Sequence, residues 1–151
     1  MMQNENEFTA ALAGLFGPDA VRPNVAGEYV FRFAGTPLKM VCSPEAQDEV
    51  CCYAKIGTIE GIERVDGLLA DLLEANFFWI GNAGSTVAVV PGSDDVILED
   101  RREAAYFENA ETLKGYLAAF VDKVLMWRGH IDEYRKAVAE TGADDGKEVR
   151  E

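Results

Sequence analysis

The chain has 151 residues, of which 48% are hydrophobic and 27% charged, and it carries a net charge of −13. A chain of this length buries roughly 68–70% of its unfolded surface, enough for one core without disulfide or metal staples. Its acidity opposes a phosphate backbone, so nucleic acid is not expected as a partner; the acidic surface is read first as serving solubility, the alternative being that it steers a basic partner segment inward.

One domain is expected over residues 1–136, followed by a polar, disordered tail over 137–151. No apolar run approaches the ~18 residues a membrane span needs, so no membrane partner is expected. The start, MMQNENEF, lacks a basic stretch followed by an apolar one, so a cytoplasmic location is expected.

The first helix is predicted from about Glu5 to Phe16. Asn4 is placed to cap it, with Glu7 three residues on. Phe8, Leu12, Leu15 and Phe16 recur on one helical face, and Gly17-Pro18 ends the run. Three strands follow. Glu28–Ala34 is rich in β-branched and aromatic residues, with Tyr29, Phe31 and Phe33 on one face and Val30 and Arg32 on the other. Gly35-Thr36-Pro37 is read as the turn into Leu38–Cys42, and the polar loop Ser43–Asp48 leads to a third strand, Glu49 to Ile56.

The second helix is predicted from Ile62 to Asn76. Ile62, Val65, Leu68, Leu69, Leu72 and Leu73 recur at steps of three and four, and Asp66, Asp71 and Glu74 lie off that stripe. An aromatic cluster, Phe77-Phe78-Trp79, and a glycine-bearing turn come next. Strands at Ser85–Val90 and Asp95–Glu99 flank Pro91-Gly92-Ser93-Asp94, which is hairpin chemistry. The last helix starts after Asn109, a capping residue with Glu111 in the first turn. Leu113, Tyr116, Leu117, Phe120, Val121, Val124, Trp127 and Ile131 form its apolar stripe, and fraying is expected beyond Lys136. The order α-β-β-β-α-β-β-α, joined by short turns, predicts an α+β fold: an antiparallel twisted sheet packed by three helices.

Catalytic chemistry finds little support. Cys42, Cys51 and Cys52 make an odd count without a CxxC pair, so they are read as buried reduced thiols in strands. A cysteine nucleophile would need an electropositive niche, and no basic cluster lies nearby. His130, the one histidine, is read as a surface residue near the end of the last helix, beside Asp132 and Glu133. Gly81-Asn82-Ala83-Gly84 is read as a turn and not a phosphate cradle. Asp94-Asp95 and Glu99-Asp100 are read as solvated loop acids. No cofactor and no metal are expected.

Three segments carry a family resemblance: YAKIGTI (Tyr53–Ile59), LLADLLEANFFWIGNAGSTVAVVP (Leu68–Pro91), and the helix ending FVDKVLMWRGHI (Phe120–Ile131). Together they resemble the Tir chaperone (CesT-type) family of small acidic class I chaperones of type III secretion. The resemblance spans roughly Phe8 to Ile131. It implies a bacterial cytoplasmic homodimer, built around the second helix, that holds an extended N-terminal segment of an effector protein without catalysis or ATP.

From the apolar positions, Phe8, Leu12, Phe16, Tyr29, Phe31, Phe33 and Met40 are the candidate effector contacts; aromatics at these spacings equally serve as ordinary core. Leu69, Leu72, Leu73, Phe78 and Trp79 are the candidate dimer interface, because six apolar residues on one helix plus three aromatics exceed what one monomer face needs. The competing reading is a non-catalytic adaptor or regulatory module of the same fold that binds a folded protein partner.

Overall fold

The computed structural model describes residues 2–17, 22–42, 49–77, 84–107 and 109–150, with side chains described from 8 to 136 within those spans. Helix α1 (Met2–Phe16) precedes strands β1 (Glu28–Phe33), β2 (Thr36–Cys42) and β3 (Glu49–Thr58). Helix α2 (Val65–Ala75), strands β4 (Thr86–Val89) and β5 (Asp95–Glu103), a 3₁₀ turn (Ala104–Phe107) and helix α3 (Ala110–Arg150) follow. The strands form one antiparallel sheet in the order β1-β2-β3-β5-β4. This is the α+β arrangement the sequence predicts. The chain falls into two compact units, Met1–Ala54 with Glu99–Lys123, and Lys55–Leu98 with Val124–Glu151.

In the first unit a tight hairpin sets the register. Phe33 pairs with Thr36, so the loop is only Ala34-Gly35, with φ of 50° and 78°. Positive φ at both positions marks the hairpin turn whose twist matches the flanking strands. The turn therefore sits one residue earlier than Gly35-Thr36-Pro37, and Thr36 and Pro37 belong to β2. The sequence reading missed this because alanine is an unfavourable occupant of the left-handed region. The register aligns Tyr29, Met40 and Cys52 across three strands, and all three are buried. Val30, Arg32, Lys39 and Tyr53 project from the opposite face.

Helix α1 covers the buried face. Phe8 meets Tyr29 edge-on at 5.8 Å and Phe107 at 5.7 Å, and Phe107 meets Tyr116 at 5.0 Å. Gly14 lets α1 approach the start of α3: a Cβ there would stand 3.3 Å from that of Ala110. Gly17, at φ 89°, closes α1 by donating its N–H to the Ala13 carbonyl. The proposed Asn4 cap lies outside the described side chains, and the Ser43–Asp48 loop lies outside the described residues. Asn109 caps α3 as expected, its Oδ1 accepting from the Thr112 N–H at 2.9 Å.

Asp100 departs from the sequence reading. It is not a solvated loop acid: it extends the inward alternation Val96, Leu98, Asp100 and is only 2% exposed. Its Oδ1 accepts from the Arg101 N–H and from Arg102 Nη1, each at 2.9 Å, and its Oδ2 accepts from the Tyr116 hydroxyl at 2.8 Å. A buried carboxylate so paired avoids the penalty of an orphaned charge. Burial pushes the Tyr116 hydroxyl above its ordinary range and holds the Lys123 ammonium below its own.

In the second unit, α2 starts three residues later than expected, at Val65, after a turn in which Ile62 is buried. Its first turn lacks a side-chain cap, which accounts for the shortening. Leu68, Leu72 and Ala75 face inward. Past its end, the Asn76 side chain donates to the Val87 carbonyl at 2.9 Å and accepts from the Val87 N–H at 2.8 Å. Val90 bonds across the hairpin to Asp95, so by alternation Val87 turns its backbone away from β5. Asn76 thus occupies the outer edge of β4 as a strand would.

Helix α3 ties down the end of β3. Arg128 donates to the Lys55 carbonyl at 3.0 Å, and Arg135 donates to the carbonyls of Thr58 and Glu60 at 2.9 Å. The helix runs to Arg150, beyond the Lys136 boundary the sequence suggested; no proline interrupts that stretch.

Replacing Ala34 with glycine should raise unfolding stability by roughly 0.5–1 kcal/mol in urea titration, because the strained φ is relieved. Asn76→Ala should lower stability by about 2 kcal/mol in the same assay, since two hydrogen bonds are lost and two β4 edge groups are left unpaired.

Candidate functional site

Two apolar surfaces stand out, one in each unit. In the first, α1 and β1 bring Phe16 and Phe31 to 4.7 Å. Phe16, Phe31 and Phe33 are half-buried, whereas Phe8, Leu12, Tyr29 and Met40 are buried beneath them. Of the seven candidate effector contacts, three reach the surface and four form the floor that holds them. The surface borders strand β1, an edge of the sheet. The hairpin register directs the Phe31 and Phe33 backbone groups to β2 and turns those of Val30 and Arg32 outward. Further back along that edge, Pro23 bridges to Tyr29, and the Asn24 N–H donates to the Glu28 carbonyl at 2.8 Å.

The second surface is the outward line of α2. Asp66, Ala70, Leu73 and Phe77, spaced four, three and four residues apart, are all exposed. Leu73 is 71% and Phe77 65% exposed. Leu69 is half-buried at its margin, and Leu72 is buried in the unit's own core. Phe78 and Trp79 lie outside the described residues. The sequence reading omitted Phe77, although it continues the Leu69–Leu73 spacing by one more turn.

On another flank of α2 lies an open groove of about 430 Å³, lined by Asp71, Glu74, Ala75, Met126, Trp127 and His130. His130 is not a helix-end surface residue: α3 continues past it, and its Nε2 lies 3.1 Å from Asp71 Oδ2. The Tyr134 hydroxyl donates to the same oxygen at 2.7 Å. The Tyr134 hydrogen bond, helped by His130, holds the Asp71 carboxyl below its ordinary range against a smaller opposing effect of burial. Gly67 accommodates Tyr134, whose hydroxyl would stand 3.4 Å from a Cβ there.

The thiols are not poised for nucleophilic attack. Cys52 is buried, and Cys42 and Cys51 are half-buried where full burial was expected. Burial pushes the thiols of Cys51 and Cys52 up, away from the reactive thiolate. Among the described residues, no group of three His, Cys, Asp or Glu side chains is placed to hold a metal, and no helix is long and apolar enough to cross a membrane.

No curated protein matches the chain in sequence. Solved structures match its fold. One is the ExsC–ExsE complex, with a TM-score of 0.66 and 18% identity over 85% of this chain and 93% of that one. Another is the HopA1–SchA chaperone–effector complex, with a TM-score of 0.62 and 15% identity over 85% of this chain and 98% of that one. A family model, that of the Tir chaperone protein (CesT) family, matches residues 8–128, and the chain belongs to that family.

Proposed function

We propose that this protein is a type III secretion chaperone that, as a cytoplasmic homodimer, holds an extended N-terminal segment of an effector protein and keeps it export-competent. Membership of the CesT family and the fold shared with a chaperone–effector complex support the chaperone role. The observation that carries the reading is the Phe16–Phe31–Phe33 surface beside the outward backbone of Val30 and Arg32. An extended segment can add to a strand edge through its backbone and lay alternate side chains on apolar pockets. About 400 Å² of apolar contact gives on the order of 10 kcal/mol gross, and ordering the client costs roughly 2–5 kcal/mol of it.

The apolar line of α2 is the proposed dimer contact, with Leu69, Leu73 and Phe77 at its surface and Leu72 behind them; Phe78 and Trp79 are proposed to extend it. A twin on this face lets one client engage two protomers, which raises its effective concentration.

Co-expression with neighbouring reading frames, followed by pull-down, should recover a client whose N-terminal segment is cleaved by protease when free and protected in the complex. Phe31→Asp should cost at least about ten-fold in client affinity, and the far-ultraviolet spectrum should be unchanged. A partner that is already protected when free would support the adaptor reading instead. In sedimentation at micromolar concentration the protein should behave as a dimer and Leu73→Asp as a monomer. A wild-type monomer would falsify the dimer assignment.

A further inference from the structure

We propose that the groove beside α2 is a subsite for a cationic side chain, arginine or lysine, carried on an extended client segment. This deepens the client-holding reading and rests on it. The groove joins two kinds of wall. Asp71 and Glu74 supply carboxylates, while Met126, Trp127 and Ala75 supply apolar surface. Both polar contacts of Asp71, from His130 and Tyr134, fall on Oδ2, which leaves Oδ1 uncommitted. Glu74 is exposed and presents its carboxylate at the groove wall. Met126, 52% exposed, projects a flexible thioether along the rim.

This combination matches a long basic side chain, whose methylene stem lies on apolar surface while its head reaches acceptors. A guanidinium can use two carboxylate oxygens at once and can stack on aromatic surface. Charge selects the occupant. The groove offers two carboxylates and, apart from His130, no cationic residue, in a chain of net charge −13 that draws basic segments toward it. An acidic occupant would face repulsion, and a purely apolar one would take water from Asp71 Oδ1 and the Glu74 carboxylate without offering either a hydrogen bond.

The test uses the full-length protein and two acetylated, amidated pentapeptides. One is Ala-Leu-Arg-Leu-Ala; in the other, citrulline replaces arginine, keeping the shape and removing the charge. Binding is followed by nuclear magnetic resonance at the Trp127 indole N–H and the His130 ring. The arginine peptide should shift both signals saturably, and the citrulline peptide should bind about five-fold more weakly or less well still. Glu74→Gln should weaken the arginine peptide by a similar factor. Glu111→Gln, an exposed neutralisation in the first turn of α3, should leave it unchanged. Equal binding of the two peptides, unshifted Trp127 and His130 signals, or equal losses from Glu74→Gln and Glu111→Gln would each overturn the assignment. The peptides need no client, so the two readings fail separately. Absence of any effector client with the arginine peptide still seated removes the chaperone reading alone. A captured client with an unseated peptide removes the subsite alone.

Discussion

The register of the β1–β2 hairpin governs what this molecule can offer to another polypeptide. Side chains alternate across a sheet with a period of two, so a slip of one residue would exchange the faces of every position on the strand. With Phe33 opposite Thr36, the row Tyr29–Met40–Cys52 goes inward and Val30 and Arg32 go outward. Phe31 and Phe33 then fall on the helix side, close enough to Phe16 for ring contact but too near the sheet edge for full burial. The surface follows from fold geometry: helix α1 ends at Phe16, and nothing among the described residues completes the cover.

Two acids show how a small acidic chain manages charge at its packing seams. Asp100 is buried, and its three hydrogen bonds from Arg101, Arg102 and Tyr116 knit β5 to α3 within the first unit. Asp71 is half-buried and plays the corresponding part between α2 and α3 in the second, through His130 and Tyr134. In both, a tyrosine hydroxyl on α3 donates to the carboxylate, so one long helix supplies the polar anchor in each unit. The second arrangement leaves acceptor capacity on the groove side and the first leaves none exposed.

Much of this was legible in the sequence where periodicity is long. The eight-residue stripe of α3 from Leu113 to Ile131 is buried throughout, because a 3.6-residue repeat sustained over five turns admits one reading. The order of elements, the Pro91–Asp94 hairpin and the Asn109 cap were legible for equally local reasons. The errors cluster where a local rule is broken. Ala34 takes a conformation that alanine disfavours, which moved the turn by one residue. The inward run Val96, Leu98 pointed to Asp100, but an acid at a core position reads as loop unless its partner is known, and Tyr116 lies sixteen residues away. The groove was not legible at all: Asp71 and His130 are fifty-nine residues apart, and each taken alone is an unremarkable polar residue on a helix. The candidate surfaces were legible as sets of apolar residues, but only burial separates Phe16, Phe31 and Phe33 from the Phe8, Leu12 and Met40 floor.

The Asn76 clamp bears on a hazard every open sheet carries. Uncontrolled polymerisation by strand pairing needs two complementary borders, so that each copy can both receive and donate. Here one border is stoppered by a side chain that uses the Val87 donor and acceptor together. Copies can still meet border to border through β1, but such a contact closes on itself and has no second end from which to grow. A molecule with a single open border can thereby remain unable to form fibres of its own kind.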